Sequence, residues 1–280
     1  MTSTVLSADG TVIGYTRSGD GSPVVLVDGA LNDRSLPGPN PKLAAALEST
    51  FTVFTYDRRG RGESGDTAPY AIERKVEDLQ AVIEAAGGSA CVYGISSGAA
   101  LALEAGERLT SITRLALYEA PFVTDNSRDP IPANFATHLA ELAQDGRRSE
   151  ALRYFFTVGV ALPRVMVALM RLLPVWSKLK ALAHTLPYDA QLIAGTGSGK
   201  PLPADRWDNL TVPTLVMAGT KSPAWIRNSM RALADILPGA EFRALERQTH
   251  IVKPDALAPV LSAYFGARRE LSKHEQENRP

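Results

Sequence analysis

The sequence predicts an α/β fold in which a doubly wound, mostly parallel sheet carries a helical cap insertion. Short apolar runs rich in β-branched and aromatic residues alternate with helical patterns, and this alternation stops at residue 121 and resumes at residue 208. We therefore expect residues 1–120 and 208–280 to form the α/β core and residues 121–207 to form a cap or lid. The chain has 280 residues and is 45% hydrophobic, which is enough for one large core.

The predicted elements begin with a hairpin of residues 4–7 and 11–17, because Asp9-Gly10 is a typical turn dipeptide. Each later strand is a short apolar run, and each helix has apolar residues at helical spacing. The predicted parallel strands are 24–28, 51–56, 89–93, 114–118, 213–218 and 240–245. The predicted core helices are 40–48, 72–86, 97–107, 224–236 and 254–265, and the predicted cap helices are 131–143, 149–161, 165–173 and 176–183. The charged residues 267–280 predict a frayed tail.

The charge balance excludes some classes of partner. Thirty basic and thirty acidic residues give zero formal net charge, so we expect a small-molecule substrate and neither a nucleic-acid nor a membrane partner. The chain does not open with a basic segment and an apolar run, which predicts a cytoplasmic protein. The single cysteine, Cys91, falls in a predicted buried strand and is expected to serve packing. The sequence leaves open whether the chain forms a homodimer.

The most informative motif is the G-x-S-x-G pentapeptide of residues 94–98. It lies between a predicted buried strand and a predicted helix, and its two glycines leave room for a strained turn that exposes Ser96. This pattern is typical of a nucleophile elbow, with Ser96 as the nucleophile. An ordinary strand–turn–helix joint would use glycine in the same way, so the partners of Ser96 must decide between the two interpretations.

A second motif lies upstream, where Asp57, Arg59, Gly60, Gly62 and Ser64 match the pattern D-x-R-G-x-G-x-S after a predicted strand. With this turn and the elbow, the chain resembles the α/β-hydrolase superfamily over most of its length. The resemblance implies a Ser-His-acid triad. It also implies an oxyanion hole, a pair of backbone N–H groups that bind the negative charge of the transition state.

The triad base is expected to be His250, which lies between the last predicted strand and the last predicted helix. A serine hydroxyl needs an imidazole to accept its proton. The acid departs from the common pattern, because Ser222 stands where most relatives have an aspartate. Some relatives place the acid at the end of the preceding strand, which makes Glu119 the preferred acid and Asp125 the runner-up. Glu119 could instead cap its strand or pair with an arginine.

For the oxyanion hole, the resemblance implies the backbone N–H groups of Ser97 and Ala30. Relatives usually have histidine before the glycine of the second loop, and this chain has Asp28. A carboxylate there would repel an oxyanion unless it is paired, for example with Arg34, Arg58 or Arg59.

No cofactor or metal is expected. Residues 60–65 spell G-x-G-x-x-G, but an irregular loop follows them where a dinucleotide site needs a helix. Residues 195–200 resemble a phosphate-binding loop, but Ala194 replaces its first glycine and Pro201 replaces the Ser or Thr that binds magnesium. A flexible surface linker is the better interpretation of that segment.

These features favour a cofactor-independent serine hydrolase that cleaves an ester, thioester or lactone of a small, largely apolar molecule. Two alternatives stay open: carbon–carbon bond, lyase or cyclase chemistry on the same scaffold, and a small-molecule binding protein with little turnover. A serine at the elbow argues against dehalogenase and epoxide hydrolase activity, which need a carboxylate nucleophile. The residues predicted to contact the substrate are Leu31, Phe155, Met166, Met170 and Trp176.

Overall fold

The computed structural model describes residues 2–36 and 39–267. Its centre is an eight-stranded sheet in the order β1-β2-β4-β3-β5-β6-β7-β8. The strands β1 to β8 span Thr2–Leu6, Val12–Ser18, Ser22–Val27, Phe51–Tyr56, Ala90–Ile95, Ile112–Tyr118, Thr214–Gly219 and Glu241–Leu245. Strand β2 pairs antiparallel with β1 and β4, and all other pairs are parallel. The predicted doubly wound, mostly parallel sheet is therefore confirmed.

Ten α-helices occur in the described residues. Helices α1 to α10 span Pro39–Leu47, Ile72–Ala85, Ser97–Arg108, Phe135–Gln144, Arg148–Tyr154, Arg164–Met170, Val175–Leu182, Leu186–Leu192, Ala224–Ile236 and Pro254–Gly266. A π-helix, Phe155–Gly159, continues α5, and a short 3₁₀-helix, Ala183–Thr185, precedes α8. Within the described residues, no helix is both long and apolar enough to cross a bilayer.

The sheet is covered on both faces because its central strands alternate their side chains between two apolar clusters. In β3, Val25 and Val27 join the cluster that contains α2, α3 and α9 residues. Val24 and Leu26 join the cluster that contains α1 and α10 residues. The parallel strands end at one edge of this sandwich, where ligands bind in open α/β sheets.

Residues 121–207 contain helices α4 to α8 and no strand. The segment predicted as one helix over 149–161 is α5 followed by the π-helix, and α8 was not predicted from the sequence. We call residues 121–207 the inserted segment; its role as a cap stays a prediction. The predicted tail, from residue 268 on, lies outside the described residues.

The segment predicted as a flexible linker, residues 195–200, is held in place instead. Val123 N–H donates to the Thr196 carbonyl at 2.8 Å, and Gly199 N–H donates to the Val123 carbonyl at 2.9 Å. Thr196 is buried, and its hydroxyl donates to the Ile193 carbonyl at 2.8 Å. The linker interpretation was wrong because long-range backbone hydrogen bonds, which the local sequence does not encode, hold the segment against Val123.

Candidate active site

Ser96 occupies a strained turn between β5 and α3. Its φ of 57° and ψ of −128° lie outside the regions that non-glycine residues prefer. A Cβ atom on Gly94 would lie 2.4 Å from the Gly98 carbonyl oxygen. A Cβ atom on Gly98 would lie 2.4 Å from the carbonyl oxygens of Val27 and Asp28. Both glycines of the pentapeptide are thus required for close packing of the turn that presents Ser96.

His250 contacts a fully buried carboxylate. Its Nδ1 lies 2.8 Å from Oε2 of Glu119, which directly follows β6 and has a left-handed φ of 50°. The other carboxylate oxygen, Oε1, accepts hydrogen bonds from Gly219 N–H at 2.7 Å and from the Ser222 hydroxyl at 2.5 Å. An ionised carboxylate only accepts, so Nδ1 of His250 carries the proton and Nε2 is left as the proton acceptor.

Ser96 and His250 line the same cavity. No hydrogen bond among the described residues joins the Ser96 hydroxyl to the imidazole ring. In unliganded enzymes such contacts are often long and shorten when substrate binds. Asp125, the alternative acid, is engaged elsewhere, because its carboxylate accepts hydrogen bonds from Ser127 and from Asn228.

Two backbone N–H groups are available to bind an oxyanion beside Ser96. Ser97 opens α3, and first-turn amides lack an acceptor within the helix. Ala30 follows β3, and no described hydrogen bond uses its N–H group. Both residues line the cavity together with Ser96. The N-terminal end of α3 also adds a favourable dipole for a developing negative charge.

A carboxylate from the inserted segment connects both sides of this predicted oxyanion hole. Asp189 in α8 accepts a hydrogen bond from the Ser97 hydroxyl at 2.8 Å and forms ion pairs with Arg58, at 2.8 Å, and with Arg61. Arg61 Nη1 donates to the Gly29 carbonyl at 2.7 Å, next to Ala30. The loop after β3, the start of α3 and α8 thus share one buried ionic network.

Electrostatics keep Asp189 ionised within that network. Burial alone would raise the pKa of Asp189, but the positive charges of Arg58, Arg61 and Lys75 and the Ser97 hydrogen bond outweigh it and lower the pKa to about 2. A charge buried in this way is tolerated because it is paired and hydrogen-bonded.

The D-x-R-G-x-G-x-S motif builds the turn that supplies these arginines. Gly62 has a φ of +52°, and a Cβ atom there would lie 2.3 Å from Oδ2 of Asp57. That oxygen accepts a hydrogen bond from Glu63 N–H at 3.0 Å, and Asp57 also pairs with Arg34 at 2.9 Å. The Ser64 hydroxyl donates to the Asp57 carbonyl at 2.5 Å. The motif therefore has a scaffolding role in the turn that carries Arg58 and Arg61.

Asp28 is buried below the same loop. Its Oδ1 accepts a hydrogen bond from Asn32 Nδ2 at 2.9 Å, and burial raises the pKa of Asp28 to about 6. None of the three arginines suggested by the sequence forms an ion pair with this carboxylate in the described structure. Arg34 pairs with Asp57 and Glu63, Arg59 with Asp9 and Asp78, and Arg58 with Asp189.

The cavity beside Ser96 has a volume of about 200 Å³ and a mostly apolar lining. Its apolar lining residues outside the elbow and the loop after β3 are Pro121, Phe135, Phe155, Val160, Leu162, Ala190, Ile193, Pro223, Trp225 and Ile226. Of the five residues predicted to contact the substrate, Phe155 lies in this lining. Sequence reasoning missed Trp225 and Ile226, which open α9 just beyond the end of β7, although that position in the chain pointed to them.

The other four predicted contacts lie elsewhere. Leu31 is buried in the core behind the loop, Met170 packs against the core, and Trp176 is buried with its ring 6.4 Å from that of Phe156. Met166 is 49% exposed. Apolar spacing indicates which face of a helix is apolar, but it does not indicate whether that face meets the cavity, the core or solvent.

The described residues contain no group of three or more His, Cys, Asp or Glu side chains arranged to hold a metal ion. Comparison with curated proteins gave no match. A family model described as "Alpha/beta hydrolase family" matches residues 31–260, which is more than half of the chain.

Several solved structures resemble the chain over nearly its whole length. An alpha/beta hydrolase from Sphaerobacter thermophilus DSM 20745 is 50% identical, with a TM-score of 0.85, and the match covers 94% of this chain and 100% of that one. A hydrolase from Pseudomonas aeruginosa PA01 is 20% identical, with a TM-score of 0.70 and coverage of 95% and 98%. An enol-lactonase from Burkholderia xenovorans LB400 is 21% identical, with a TM-score of 0.65 and coverage of 94% and 100%. From the family match and the relative at 50% identity, this chain belongs to the alpha/beta hydrolase family and is a hydrolase.

Proposed function

We propose that the protein is a cofactor-independent serine hydrolase that cleaves an ester, thioester or lactone of a small, largely apolar molecule. The observation that carries the proposal is the 2.8 Å contact between His250 Nδ1 and the buried Glu119 carboxylate, at a cavity that also contains the strained Ser96. A carboxylate at Nδ1 stabilises the imidazolium that forms when Nε2 takes a proton.

In the proposed reaction, the Ser96 oxygen attacks the carbonyl carbon of the substrate while His250 Nε2 accepts the hydroxyl proton. The carbon–oxygen or carbon–sulfur bond to the leaving group then breaks, and His250 returns the proton to the departing atom. Water attacks the acyl-enzyme in the same way and releases the carboxylic acid together with free Ser96. The Glu119 carboxylate stays ionised and orients the imidazole ring throughout.

The proposed oxyanion hole consists of the N–H groups of Ser97 and Ala30. Each donor of this kind contributes on the order of 10²–10³-fold to the rate when it is fixed before the reaction. The ion pairs of Asp189 with Arg58 and Arg61 support such preorganisation, because they fix the side chain of Ser97 and the carbonyl of Gly29.

The cavity lining supports an apolar acyl group of modest size. The aromatic rings of Phe135, Phe155 and Trp225 and the aliphatic side chains of Leu162 and Ile193 offer no charge to a substrate. Asp189 also lines the cavity, but its charge is balanced by two arginines.

A fluorophosphonate probe tests the proposal directly, because it reacts only with an activated serine. We expect stoichiometric labelling of Ser96 in the wild type and none in Ser96→Ala, with turnover of 4-nitrophenyl butyrate lost by several orders of magnitude. The matched control is Ser177→Ala, which removes an exposed hydroxyl that donates only to the Pro174 carbonyl. Wild-type turnover by Ser96→Ala would contradict the serine mechanism.

His250→Ala separates a hydrolase from a binding protein on the same scaffold. A hydrolase loses most of its kcat/KM in this variant, since Asp189, the other ionisable side chain in the described cavity lining, is already paired with Arg58 and Arg61. A binding protein would retain its ligand affinity in the variant and release no burst of nitrophenol in the wild type. Conversion of an ester analogue into a product other than the acid and alcohol would favour lyase or cyclase chemistry.

A further inference from the structure

The outer surface of the inserted segment carries an unusual concentration of exposed apolar side chains. Nine large hydrophobic residues are exposed in the described chain, and six of them lie between residues 165 and 175. These six are Val165, Met166, Leu169, Leu172, Leu173 and Val175, with Leu172 81% and Val165 73% exposed. Helix α6 buries only Val167. Clusters of this kind mark interaction surfaces, whereas single exposed apolar residues need no explanation.

The segment that carries these apolar side chains is strongly basic. Residues 145–182 contain seven basic and two acidic side chains, a net charge of +5 in a chain whose total is zero. Between residues 163 and 182 every charged residue is basic: Arg164, Arg171, Lys178 and Lys180. We call residues 164–180, with their exposed apolar and basic side chains, the docking patch.

We propose that the docking patch binds an anionic phospholipid surface. Apolar side chains flanked by lysine and arginine are the combination by which interfacial helices insert into the boundary between head groups and acyl chains. The basic groups are attracted by the negative surface potential, and each charge near the surface strengthens the partition by about fivefold, from roughly 1 kcal/mol. Zero net charge predicted no membrane partner, but local charge distribution determines surface attraction, and here it is uneven.

Charge also argues against a second copy of the chain as the occupant. In a twofold dimer the same patch faces itself, so Arg164 and Arg171 of one copy would approach the basic residues of the other. The 163–182 stretch holds no acidic residue to offset that repulsion. An anionic lipid surface complements the patch in both its apolar and its charged parts.

The docking patch follows the cavity-lining residues directly in the chain. Phe155, Val160 and Leu162 line the cavity, and α6 begins at Arg164, two residues after Leu162. Docking would therefore place the cavity next to apolar molecules dissolved in the lipid. The binding itself does not depend on the proposed hydrolase function and can be measured with Ser96→Ala.

The test is co-sedimentation of the full chain with vesicles of phosphatidylcholine alone and of phosphatidylcholine mixed with phosphatidylglycerol. We expect binding to the mixed vesicles that weakens at high salt, and little binding to the neutral ones. Arg164→Gln/Arg171→Gln should weaken the partition by about 30-fold, from roughly 1 kcal/mol for each charge. Leu169→Ser/Leu172→Ser should weaken it by at least about tenfold. All four side chains belong to exposed residues, so the fold is expected to survive.

Matched controls come from exposed residues outside the patch. Leu6→Ser in β1 removes a side chain that is 64% exposed, and Arg227→Gln in α9 removes an exposed cation; both should bind like the wild type. Equal binding of patch and control variants, or no binding to anionic vesicles at low salt, would overturn the proposal. A wild-type dimer in sedimentation velocity that Leu169→Ser/Leu172→Ser converts to monomer, without vesicle binding, would overturn it in favour of a second copy.

Discussion

Replacing Glu119 by glutamine tests the relocated acid, because the surrounding hydrogen bonds dictate how the amide must sit. Gly219 N–H and the Ser222 hydroxyl both donate to Oε1 of Glu119, at 2.7 and 2.5 Å. The amide oxygen of glutamine must take that position, since its NH₂ group cannot accept a hydrogen bond. The NH₂ group then faces Nδ1 of His250. Nδ1 can accept a hydrogen bond from this NH₂ group only if the ring proton moves to Nε2. A protonated Nε2 cannot accept the proton of the Ser96 hydroxyl.

The expected loss follows from that wrong tautomer. The same amide replacement of the triad aspartate in a serine protease lowers kcat by about 10⁴, which corresponds to about 5.5 kcal/mol of transition-state stabilisation. We expect a loss of this order in Glu119→Gln for 4-nitrophenyl butyrate, with KM little changed. The fold should survive because the amide keeps the shape and two of the three hydrogen bonds. Circular dichroism and thermal unfolding check that point.

Ser222 supplies the matched control and a rescue. Ser222→Ala removes one hydrogen bond to the carboxylate but leaves the contact with His250, so we expect a loss of only about tenfold, near 1.5 kcal/mol. Ser222→Asp in the Glu119→Gln background should restore part of the rate, because it returns a carboxylate to the neighbouring strand end. A folded Glu119→Gln variant with wild-type kcat would refute the assignment of the acid while leaving Ser96 and His250 as candidates.

Two further predictions concern the buried charges near the predicted oxyanion hole. Asp189→Asn weakens the ion pairs to Arg58 and Arg61. We expect kcat for 4-nitrophenyl butyrate to fall by about 10- to 100-fold, with little change in KM. A folded Asp189→Asn variant with unaltered kcat would show that Asp189 does not position the oxyanion hole. Asp28 has a pKa of about 6 against 3.8 for a free side chain, so between these values the folded state holds a proton that the unfolded state has released. Stability falls as pH rises through this window, by about 3 kcal/mol in total. The free energy of unfolding of Asp28→Asn, measured in urea, should therefore rise relative to that of the wild type between pH 4 and pH 7. A difference between the two proteins that does not change with pH would contradict this prediction.

Most of the fold was predictable because local signals agree with the tertiary structure. Asp9-Gly10 marks the first hairpin turn, and the apolar runs predict β3 to β8 within two residues of their observed ends. The elbow was predictable for the same reason: only glycine fits the contacts that Gly94 and Gly98 make with neighbouring backbone.

Helix α8 and its Asp189 could not be predicted in this way. The helix has seven residues with a proline in its first turn, too short for its periodicity to stand out. Asp189 contacts Arg61, 128 residues away in sequence, and no local pattern encodes that contact.

The π-helix is a similar case: a Cβ atom on Gly159 would lie 2.7 Å from the ring of Phe135, so the backbone of Gly159 approaches α4 closely. Val160 and Leu162, which follow this π-helix, line the cavity.

The position of Glu119, the proposed acid, has a simple basis in the sheet. Strands β6 and β7 are parallel neighbours, with Tyr118 opposite Met217, and Glu119 N–H donates to the Met217 carbonyl at 3.1 Å. Their carboxyl ends therefore lie side by side, at the edge of the sheet where Glu119 contacts His250. Ser222, at the usual position of the acid, donates its hydroxyl to the Glu119 carboxylate at 2.5 Å. A second carboxylate at that position would repel the first, whereas a hydroxyl holds it in place, so Ser222 is compatible with Glu119 as the proposed acid.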